Sequence, residues 1–268
     1  MGAMNWQNPE VTNETGSIAQ LPFGHGPIDV KNSKIFYFDI DNCLYERSTK
    51  IHDMMQVKIH QYFKSSLELD DKEAHELHMT YYKTYGLAIE GLVRNHHVDA
   101  LEYNSKVDDA LDLKKVLKPD AKLRQMLLDI KNSGQFDYLW LVTNAYKNHA
   151  LRVITFLGIG DLFDGLTFCD YGSFPIICKP MSKYFLQFLE TTGVDHLDSN
   201  VMKNQHFVDD SGLNVKAAFD LGFGHVFHYV EIDSEYELLL KSTDYEKYYG
   251  EGKITILRHI LDLKEKLK

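Results

Sequence analysis

An aromatic, apolar run over residues 35–38 ends in two aspartates, Asp39 and Asp41, that a single residue separates. Such a run is typical of a buried strand in a parallel sheet, and ligands of open α/β sheets bind beyond the carboxyl ends of the strands. Residues two apart on extended backbone point the same way, so the two carboxylates can share one pocket. At about 4 Å and an effective dielectric of about 20 they would repel by roughly 4 kcal/mol. The pattern therefore indicates a bound cation or a shared proton, unless both aspartates are solvated turn residues.

Composition narrows the kinds of partner that this chain can have. With 25% charged residues and a net charge of −10, its surface does not favour binding to nucleic acid or to an anionic membrane. No apolar run approaches the roughly 20 residues of a membrane-spanning helix, and the N-terminus lacks the basic and apolar regions of a secretory signal. Cys43, Cys169 and Cys178 lack paired spacing, as is typical of reduced thiols. We therefore expect a protein of the cytoplasm, with the nucleus as the alternative compartment, and we expect it to be a monomer.

Beyond residue 137 the chain alternates between strand-like and helix-like segments. Short apolar runs are each followed by apolar residues at helical spacing. This alternation implies right-handed crossovers and a parallel sheet that helices cover on both faces. We therefore predict an α/β protein with a Rossmann-like parallel sheet as its core. The predicted strands are 138–142, 165–169, 205–208 and 225–229, and the predicted helices are 148–157, 181–192, 213–221 and 254–267.

A long helical region separates the first strand from the second. Apolar residues recur there at helical spacing, and Asp70 with Glu73 forms a capping-box pattern at the start of one helix. The stretch is too long for a single crossover helix, so we predict an inserted helical domain beside the paired aspartates. The predicted organisation is a flexible N-terminal arm over 1–32, an α/β core over 33–46 and 118–268, and a helical cap over 47–117.

Four polar motifs lie where a parallel sheet could bring them together. Three follow predicted strands and the fourth precedes a predicted helix, and the carboxyl ends of parallel strands share one edge. Carboxylates suit Mg²⁺, whereas a hydroxyl, a backbone N–H and an ammonium suit phosphate oxygens, and this combination indicates phosphoryl transfer. Taken singly, the later residues are more typical of helix caps and solvated charges, so the indication depends on their joint order. The motifs are Asp39/Asp41, Thr143-Asn144, Lys179-Pro180 and Asp209-Asp210.

In this order, the four motifs resemble those of the haloacid-dehalogenase superfamily of phosphatases, over residues 35–230. A closer resemblance links the chain to the fungal pyrimidine 5′-nucleotidase group and its lysophosphatidate-phosphatase-like sister group. Cys43 stands where that family usually has Thr or Ser, and we expect this departure to tune activity rather than abolish it. The stretches that carry the closer resemblance are 38–45, 85–89, 143–149 and 162–165.

The resemblance implies a role for each aspartate of the first motif. Asp39 would attack phosphorus and form an aspartyl-phosphate. Asp41 would protonate the leaving alkoxide and then activate the water that hydrolyses the phosphoenzyme, and its backbone carbonyl would contact Mg²⁺.

The other motifs are implied to hold the phosphate group and the cation. Thr143 and the backbone N–H of Asn144 would bind phosphate oxygens, and Lys179 would neutralise the nucleophile and the phosphate. Asp210 would bind Mg²⁺ directly, and Asp209 either directly or through water. The implied metal set is Asp39, Asp41, Asp209 and Asp210.

Two residues of the predicted cap are candidates for contact with the leaving group. Tyr85 belongs to a group of tyrosines that could form an aromatic wall for a nucleobase, and Arg94 could contact the substrate. The alternative for these tyrosines is a place in the packed core of the cap, and the sequence favours that alternative. Paired histidines elsewhere in the chain lack a carboxylate or cysteine to complete a metal site.

These features predict a Mg²⁺-dependent phosphomonoesterase that hydrolyses nucleoside 5′-monophosphates through an aspartyl-phosphate. The nucleotide follows from the closer resemblance alone. The alternatives left open are a lysophosphatidic acid phosphatase, a phosphomutase of the same superfamily, and a non-enzymatic phosphate-binding scaffold. A dehalogenase would lack the second acidic residue, so Asp41 argues against that reaction. The expected partner is a small phosphorylated substrate, a nucleoside monophosphate, with neither nucleic acid nor membrane insertion involved.

Overall fold

The strand that carries the paired aspartates is buried on both of its faces. All four residues of Ile35–Phe38 are fully buried, and their side chains alternate between two apolar clusters. The strand is continuously apolar because helices cover both faces of a parallel sheet. The computed structural model describes residues 31–267, and before them only the backbone of residues 12–15 and 18–20.

Within the described residues, one sheet contains eight strands. The strands are β1 (Thr12–Thr15), β2 (Ile18–Gln20), β3 (Ile35–Phe38), β4 (Tyr138–Val142), β5 (Gly165–Thr167), β6 (His206–Asp209), β7 (His225–Tyr229) and β8 (Thr255–Leu257). Six of them run parallel in the order β5-β4-β3-β6-β7-β8, and β1 and β2 extend the sheet antiparallel at the β5 edge. The strand with the paired aspartates therefore lies near the centre of the sheet.

The described residues also form thirteen α-helices and three short 3₁₀ segments. The helices are α1 (Ile51–Leu67), α2 (Asp71–Tyr85), α3 (Ala88–His96), α4 (Ala100–Lys106), α5 (Leu113–Val116), α6 (Ala121–Asn132), α7 (Lys147–Leu157), α8 (Ser182–Thr191), α9 (Ser199–Met202), α10 (Gly212–Asp220), α11 (Asp233–Leu240), α12 (Tyr245–Tyr249) and α13 (Leu263–Lys266). The 3₁₀ segments are Arg47–Thr49, Gly160–Leu162 and Ile260–Asp262.

Different helices cover the two faces of the sheet. On one face, the apolar sides of α6 and α7 pack in the same cluster as Phe36 and Phe38. On the other face, α8 and α10 pack in the same cluster as Ile35 and Tyr37. This arrangement confirms the predicted α/β class, with a parallel sheet and helices on both sides.

The region between β3 and β4 begins with four helices that share an apolar cluster of their own. α1 to α4 contribute Phe63, Leu92 and Tyr103, among others, and the loop before α8 adds Cys169 and Cys178. The predicted capping box is present, because the Asp70 carboxylate accepts from the Glu73 N–H at 2.8 Å and the Glu73 carboxylate accepts from the Asp70 N–H at 3.1 Å. The boundaries of the cap at 47 and 117 stay a prediction.

The C-terminal segment differs from the helix predicted over 254–267. Thr255–Leu257 is the edge strand β8, paired parallel to β7 with Thr255 opposite Phe227, and only Leu263–Lys266 is α-helical. The side chains of Ile254 and Leu257 are buried in the clusters on opposite faces of the sheet, which extended backbone allows and a helix on one face does not. A short apolar run of this kind does not by itself distinguish a strand from a helix.

Most of the arm predicted over residues 1–32 lies outside the described residues. Where the backbone is described, Thr12–Thr15 pairs with Ile18–Gln20, and Ile18 pairs with Thr167 of β5. For these seven residues regular structure replaces the predicted loose arm, since backbone pairing to a sheet edge needs no apolar pattern. Among the described helices, none has both the length and the apolar composition needed to cross a bilayer.

Candidate active site

The carboxyl ends of three adjacent strands bring the predicted motif residues to one edge of the sheet. Asp39 follows β3, Thr143 follows β4 and Asp209 ends β6, and β3 lies between the other two strands. The backbone N–H of Asp39 donates to the carbonyl of Val208 at 3.0 Å, which fixes the first motif against the last. The residues converge because each apolar strand stops where its polar residues begin.

Lys179 links two of these motifs through its ammonium group. Its Nζ lies 2.7 Å from Oδ1 of Asp39 and 2.6 Å from Oδ2 of Asp209, and it donates to the carbonyl of Val142 at 2.9 Å. The lysine is 1% exposed, so its charge is held away from bulk water. Burial alone would lower the pKa of Lys179, but the charges of Asp209 and Asp39 outweigh burial and raise that pKa above its ordinary value. The ammonium therefore stays charged between two carboxylates.

Asp39, Asp209 and Asp210 form an acidic cluster, in which one carboxylate oxygen of each lies within 4.8 Å of the others. Burial and the charge of Asp209 raise the pKa of Asp39 well above its ordinary value, although Lys179 opposes the shift. The same two causes raise the pKa of Asp210 to about 7. Lys179 and Arg47, which lies 3.8 Å from Asp210, still leave one of the three negative charges unbalanced, and carboxylate oxygens are the ligands that Mg²⁺ prefers. The residues present therefore fit a divalent cation.

The two adjacent aspartates of the last motif have different surroundings. Asp209 is fully buried, and besides the lysine its carboxylate accepts from the backbone N–H of Ser211 at 2.8 Å and from Asn214 at 3.0 Å. Asp210 is partly exposed, and its carboxylate lies 3.8 Å from the guanidinium of Arg47. Internal hydrogen bonds thus occupy Asp209, whereas Asp210 keeps oxygens available to a cation.

Asp41 accepts two hydrogen bonds on the same carboxylate oxygen. His149 Nε2 lies 2.8 Å from Oδ1, and the hydroxyl of Tyr45 donates to that oxygen at 2.6 Å. Burial would raise the pKa of Asp41, but the contacts with His149 and Tyr45 outweigh burial and lower that pKa. Sequence reasoning assigns neither Tyr45 nor His149 a role. Their only sequence signal is their place in the stretches 38–45 and 143–149, which carry the closer resemblance.

Thr143 and Asn144 form a hydrogen-bonded turn beside the acidic cluster. The Thr143 hydroxyl accepts from the backbone N–H of Ala145 at 3.0 Å, and the Thr143 carbonyl accepts from the hydroxyl of Tyr184 at 2.6 Å. The side chain of Asn144 makes two hydrogen bonds with the backbone of Lys179, at 2.9 and 2.8 Å. Asn144 therefore positions the lysine with its side chain, a contact that the sequence motif did not predict.

The two cap candidates, Tyr85 and Arg94, contact each other. The Arg94 guanidinium lies 5.6 Å from the ring centre of Tyr85 and 5.6 Å from that of Phe174. In the described part of the chain, no hydrogen bond or ion pair joins Tyr85 or Arg94 to the acidic cluster. Tyr82 is 54% exposed and lies in the last turn of α2, whose C-cap residue, Gly86, lies beside the backbone carbonyl of Lys179.

Comparison with known proteins identifies relatives of this chain. The family model that describes a haloacid dehalogenase-like hydrolase matches residues 34–222. Phosphate metabolism protein 8 from Saccharomyces cerevisiae is 43% identical over 237 residues, which cover 86% of this chain and 71% of that protein.

Solved structures of low sequence identity share the fold. A β-phosphoglucomutase from Clostridium difficile superimposes with a TM-score of 0.52 at 21% identity, covering 88% of this chain and 95% of that one. A hydrolase of the haloacid dehalogenase type from Bacillus subtilis, bound to magnesium, superimposes with a TM-score of 0.53 at 12% identity, covering 89% of this chain and 100% of that one. At these identities the likeness concerns architecture and not activity.

Proposed function

This chain belongs to the haloacid dehalogenase-like hydrolase family, and we propose that it is a Mg²⁺-dependent phosphomonoesterase. The proposed substrates are nucleoside 5′-monophosphates, hydrolysed through an aspartyl-phosphate on Asp39. The observation that carries the proposal is the contact of the Lys179 ammonium with Asp39 and Asp209. That contact gathers a nucleophile, a cation and metal-binding oxygens at one edge of the sheet.

Asp39 is the proposed nucleophile. Lys179 holds its Oδ1 at 2.7 Å, which leaves Oδ2 as the oxygen that attacks phosphorus. In that step the bond from Oδ2 to phosphorus forms and the bond from phosphorus to the leaving oxygen breaks. The charge of Lys179 favours the anionic form of the attacking carboxylate against the effect of burial.

The acidic cluster and the backbone carbonyl of Asp41 are the proposed Mg²⁺ site, with Asp39 and Asp210 as direct carboxylate ligands. When bound there, the ion would neutralise negative charge on the nucleophile and the phosphate. We propose that Asp209 acts through water, because hydrogen bonds within the protein already occupy its oxygens.

Asp41 is the proposed general acid, which gives a proton to the leaving oxygen so that an alcohol departs rather than an alkoxide. It then takes a proton from the water that attacks the aspartyl-phosphate, and inorganic phosphate leaves as the Asp39 carboxylate is restored. Thr143, the backbone N–H of Asn144 and Lys179 are proposed to hold the phosphate oxygens in both steps.

The closer resemblance to pyrimidine 5′-nucleotidases supports a nucleotide as the substrate. The yeast relative is named for phosphate metabolism, a name that specifies no substrate. Tyr82, 54% exposed, offers an aromatic surface to a nucleobase.

We propose a monomer in which one chain supplies every motif residue of the site. We propose the cytoplasm as its location, since the three cysteines are unpaired and buried.

Release of phosphate from UMP, CMP, AMP and lysophosphatidate, measured with Mg²⁺ and with EDTA, tests the proposal. We expect turnover of the nucleotides with Mg²⁺ and its loss with the chelator. Asp39→Asn should reduce turnover to the background rate because it removes the nucleophile. Asp53→Asn, at an exposed carboxylate on α1, is the matched control and should leave turnover unchanged.

Other outcomes of the same assay favour other functions. Faster turnover of lysophosphatidate than of any nucleotide would favour a lysophosphatidic acid phosphatase. Transfer of the phosphoryl group to an added sugar phosphate would favour a phosphomutase. Release of phosphate from none of the four substrates would contradict the enzymatic proposal and leave a phosphate-binding scaffold.

A further inference from the structure

A buried histidine, His149, contacts Asp41, the proposed general acid, and takes no part in the proposed steps of hydrolysis. His149 is 0% exposed and lies near the start of α7. Its Nε2 is 2.8 Å from Oδ1 of Asp41, and a carboxylate oxygen can only accept, so Nε2 carries the proton of this hydrogen bond. The contact joins two residues that lie 108 positions apart in the chain.

The hydrogen bonds to Asp41 distinguish its two oxygens. His149 and Tyr45 both donate to Oδ1, at 2.8 and 2.6 Å. An oxygen that already accepts two hydrogen bonds is the poorer place for an acidic proton. When Asp41 is protonated, the proton therefore resides on Oδ2, which is the oxygen that must face the leaving group.

α7 is anchored next to this contact. Arg152, one turn after His149, is buried and donates to the backbone carbonyls of Asp108 at 3.3 Å and Asp109 at 3.1 Å. Those carbonyls belong to the segment between α4 and α5, near the C-terminal end of the predicted cap. The imidazole thus stands on a helix that is fixed on both sides, by the sheet and by this segment.

We propose that His149 is a positioning residue that fixes the carboxyl group of Asp41 so that Oδ2 gives its proton to the leaving oxygen. The inference rests on the proposed phosphatase function. As the bond from phosphorus to the leaving oxygen breaks, that oxygen takes the proton from Oδ2 and departs as an alcohol. Asp41 remains as a carboxylate that His149 and Tyr45 stabilise at Oδ1 until it accepts a proton from water.

Two amide substitutions separate positioning from general structural support. In His149→Gln the side-chain nitrogen takes the place of Nε2 and keeps a donor to Asp41. In His149→Asn the side chain is one methylene shorter, so its nitrogen takes the place of Nδ1 and the donor is lost. Both variants bury a neutral amide at the same site, so they share the cost of replacing the ring.

The readout is kcat/KM on two substrates that differ in their need for a general acid. UMP has an alkoxide leaving group that needs a proton, whereas p-nitrophenyl phosphate releases a stable phenolate. We expect His149→Asn to lower kcat/KM on UMP by about 100-fold, the typical cost of a misplaced catalytic group. On p-nitrophenyl phosphate the loss should stay below about tenfold, since acid catalysis contributes little there. His149→Gln should restore most of the activity on UMP.

His78→Asn is the matched control, since His78 is a buried histidine of α2 that packs on the ring of Phe63, 5.6 Å between centres. It should lower the melting temperature without changing the ratio of the two activities. Equal losses on both substrates for His149→Asn would overturn the inference while leaving the phosphatase proposal intact.

Two further outcomes are decisive. If His149→Asn does not fold, His149→Gln still tests the inference, because a changed ratio of the two activities in that variant would overturn it. If the unmodified protein turns over neither substrate, both the proposed function and this inference fail.

Discussion

The side chain of Lys179 is both charged and buried, two properties that oppose each other energetically. Its ammonium must be charged to hold a phosphate, yet the side chain lies where bulk water does not reach. The carboxylates of Asp39 and Asp209, at 2.7 and 2.6 Å, replace the hydration that the ammonium has lost. Removing one member of a buried ion pair costs about 3–5 kcal/mol, because the partner is left charged and unpaired.

Lys179→Met should therefore affect stability as well as activity. Methionine has nearly the same length, so the change isolates the charge. We expect the free energy of unfolding to fall by about 3 kcal/mol, measured by urea denaturation, and phosphate release to cease. Lys203→Met, at an exposed lysine, should change stability by less than about 0.5 kcal/mol. Wild-type stability in Lys179→Met would mean that the two carboxylates stay buried without the ammonium.

The sequence predicted which polar residues meet at the site, but not the contacts that orient them. Asp39, Thr143 and Asp209 could be placed because each stands where an apolar run ends. The contact of His149 with Asp41 could not, because it depends on how α7 lies against the end of β3, and no local pattern encodes that orientation. The hydrogen bonds between the Asn144 side chain and the Lys179 backbone could not be predicted either, because they too depend on how distant segments lie in the folded chain.

Among the secondary-structure elements, the strands that the sequence predicts correctly are those bounded by polar residues or glycine. Tyr138–Val142 and His225–Tyr229 have the predicted bounds. Thr255–Leu257 was predicted as part of a helix, because three residues are too few for apolar spacing to distinguish the two structures. Its conformation is decided by pairing with β7, a partner that only the folded chain supplies.

The absence of a side chain at Gly91 allows α3 to pack closely against α2, the helix that carries Tyr82. A Cβ at Gly91 would lie 2.2 Å from a ring atom of Tyr81, so alanine forces the two helices apart. We expect Gly91→Ala to lower the free energy of unfolding by about 1–3 kcal/mol through overpacking, although alanine favours helix. The KM for UMP should rise as well, because Tyr82 moves with α2.

Gly134→Ala is the control for that prediction, with calorimetry and UMP kinetics as the measurements. Gly134 has a φ of +70°, and a Cβ there meets nothing within 4 Å. Alanine should cost about 1 kcal/mol from backbone strain alone and leave the KM unchanged. If Gly91→Ala matched this control in both measurements, the contact between α2 and α3 would not set the position of Tyr82.

Within the whole molecule, the acidic cluster is a site where repulsion between like charges lowers the stability of the folded state. Asp39, Asp209 and Asp210 come from two strand ends and lie within 4.8 Å of one another. At about 5 Å and an effective dielectric of about 20, two such charges repel by roughly 3 kcal/mol. The apolar clusters on both faces of the sheet hold the strand ends together against this repulsion. Proteins commonly retain such destabilised sites for the sake of function.

The melting temperature of Asp210→Asn should therefore lie above that of the wild-type protein without Mg²⁺ and below it with Mg²⁺. Without the ion, removing one charge relieves repulsion, and a gain of about 1 kcal/mol would raise the melting temperature by about 2–4 °C. With Mg²⁺ at about 100 times its Kd, the wild-type protein should gain about 2.7 kcal/mol, because the ion binds the folded state alone. The variant should gain little, while Asp53→Asn should respond as the wild type does. Calorimetry of the three proteins measures both effects, and an undiminished response to Mg²⁺ in Asp210→Asn would remove Asp210 from the metal site.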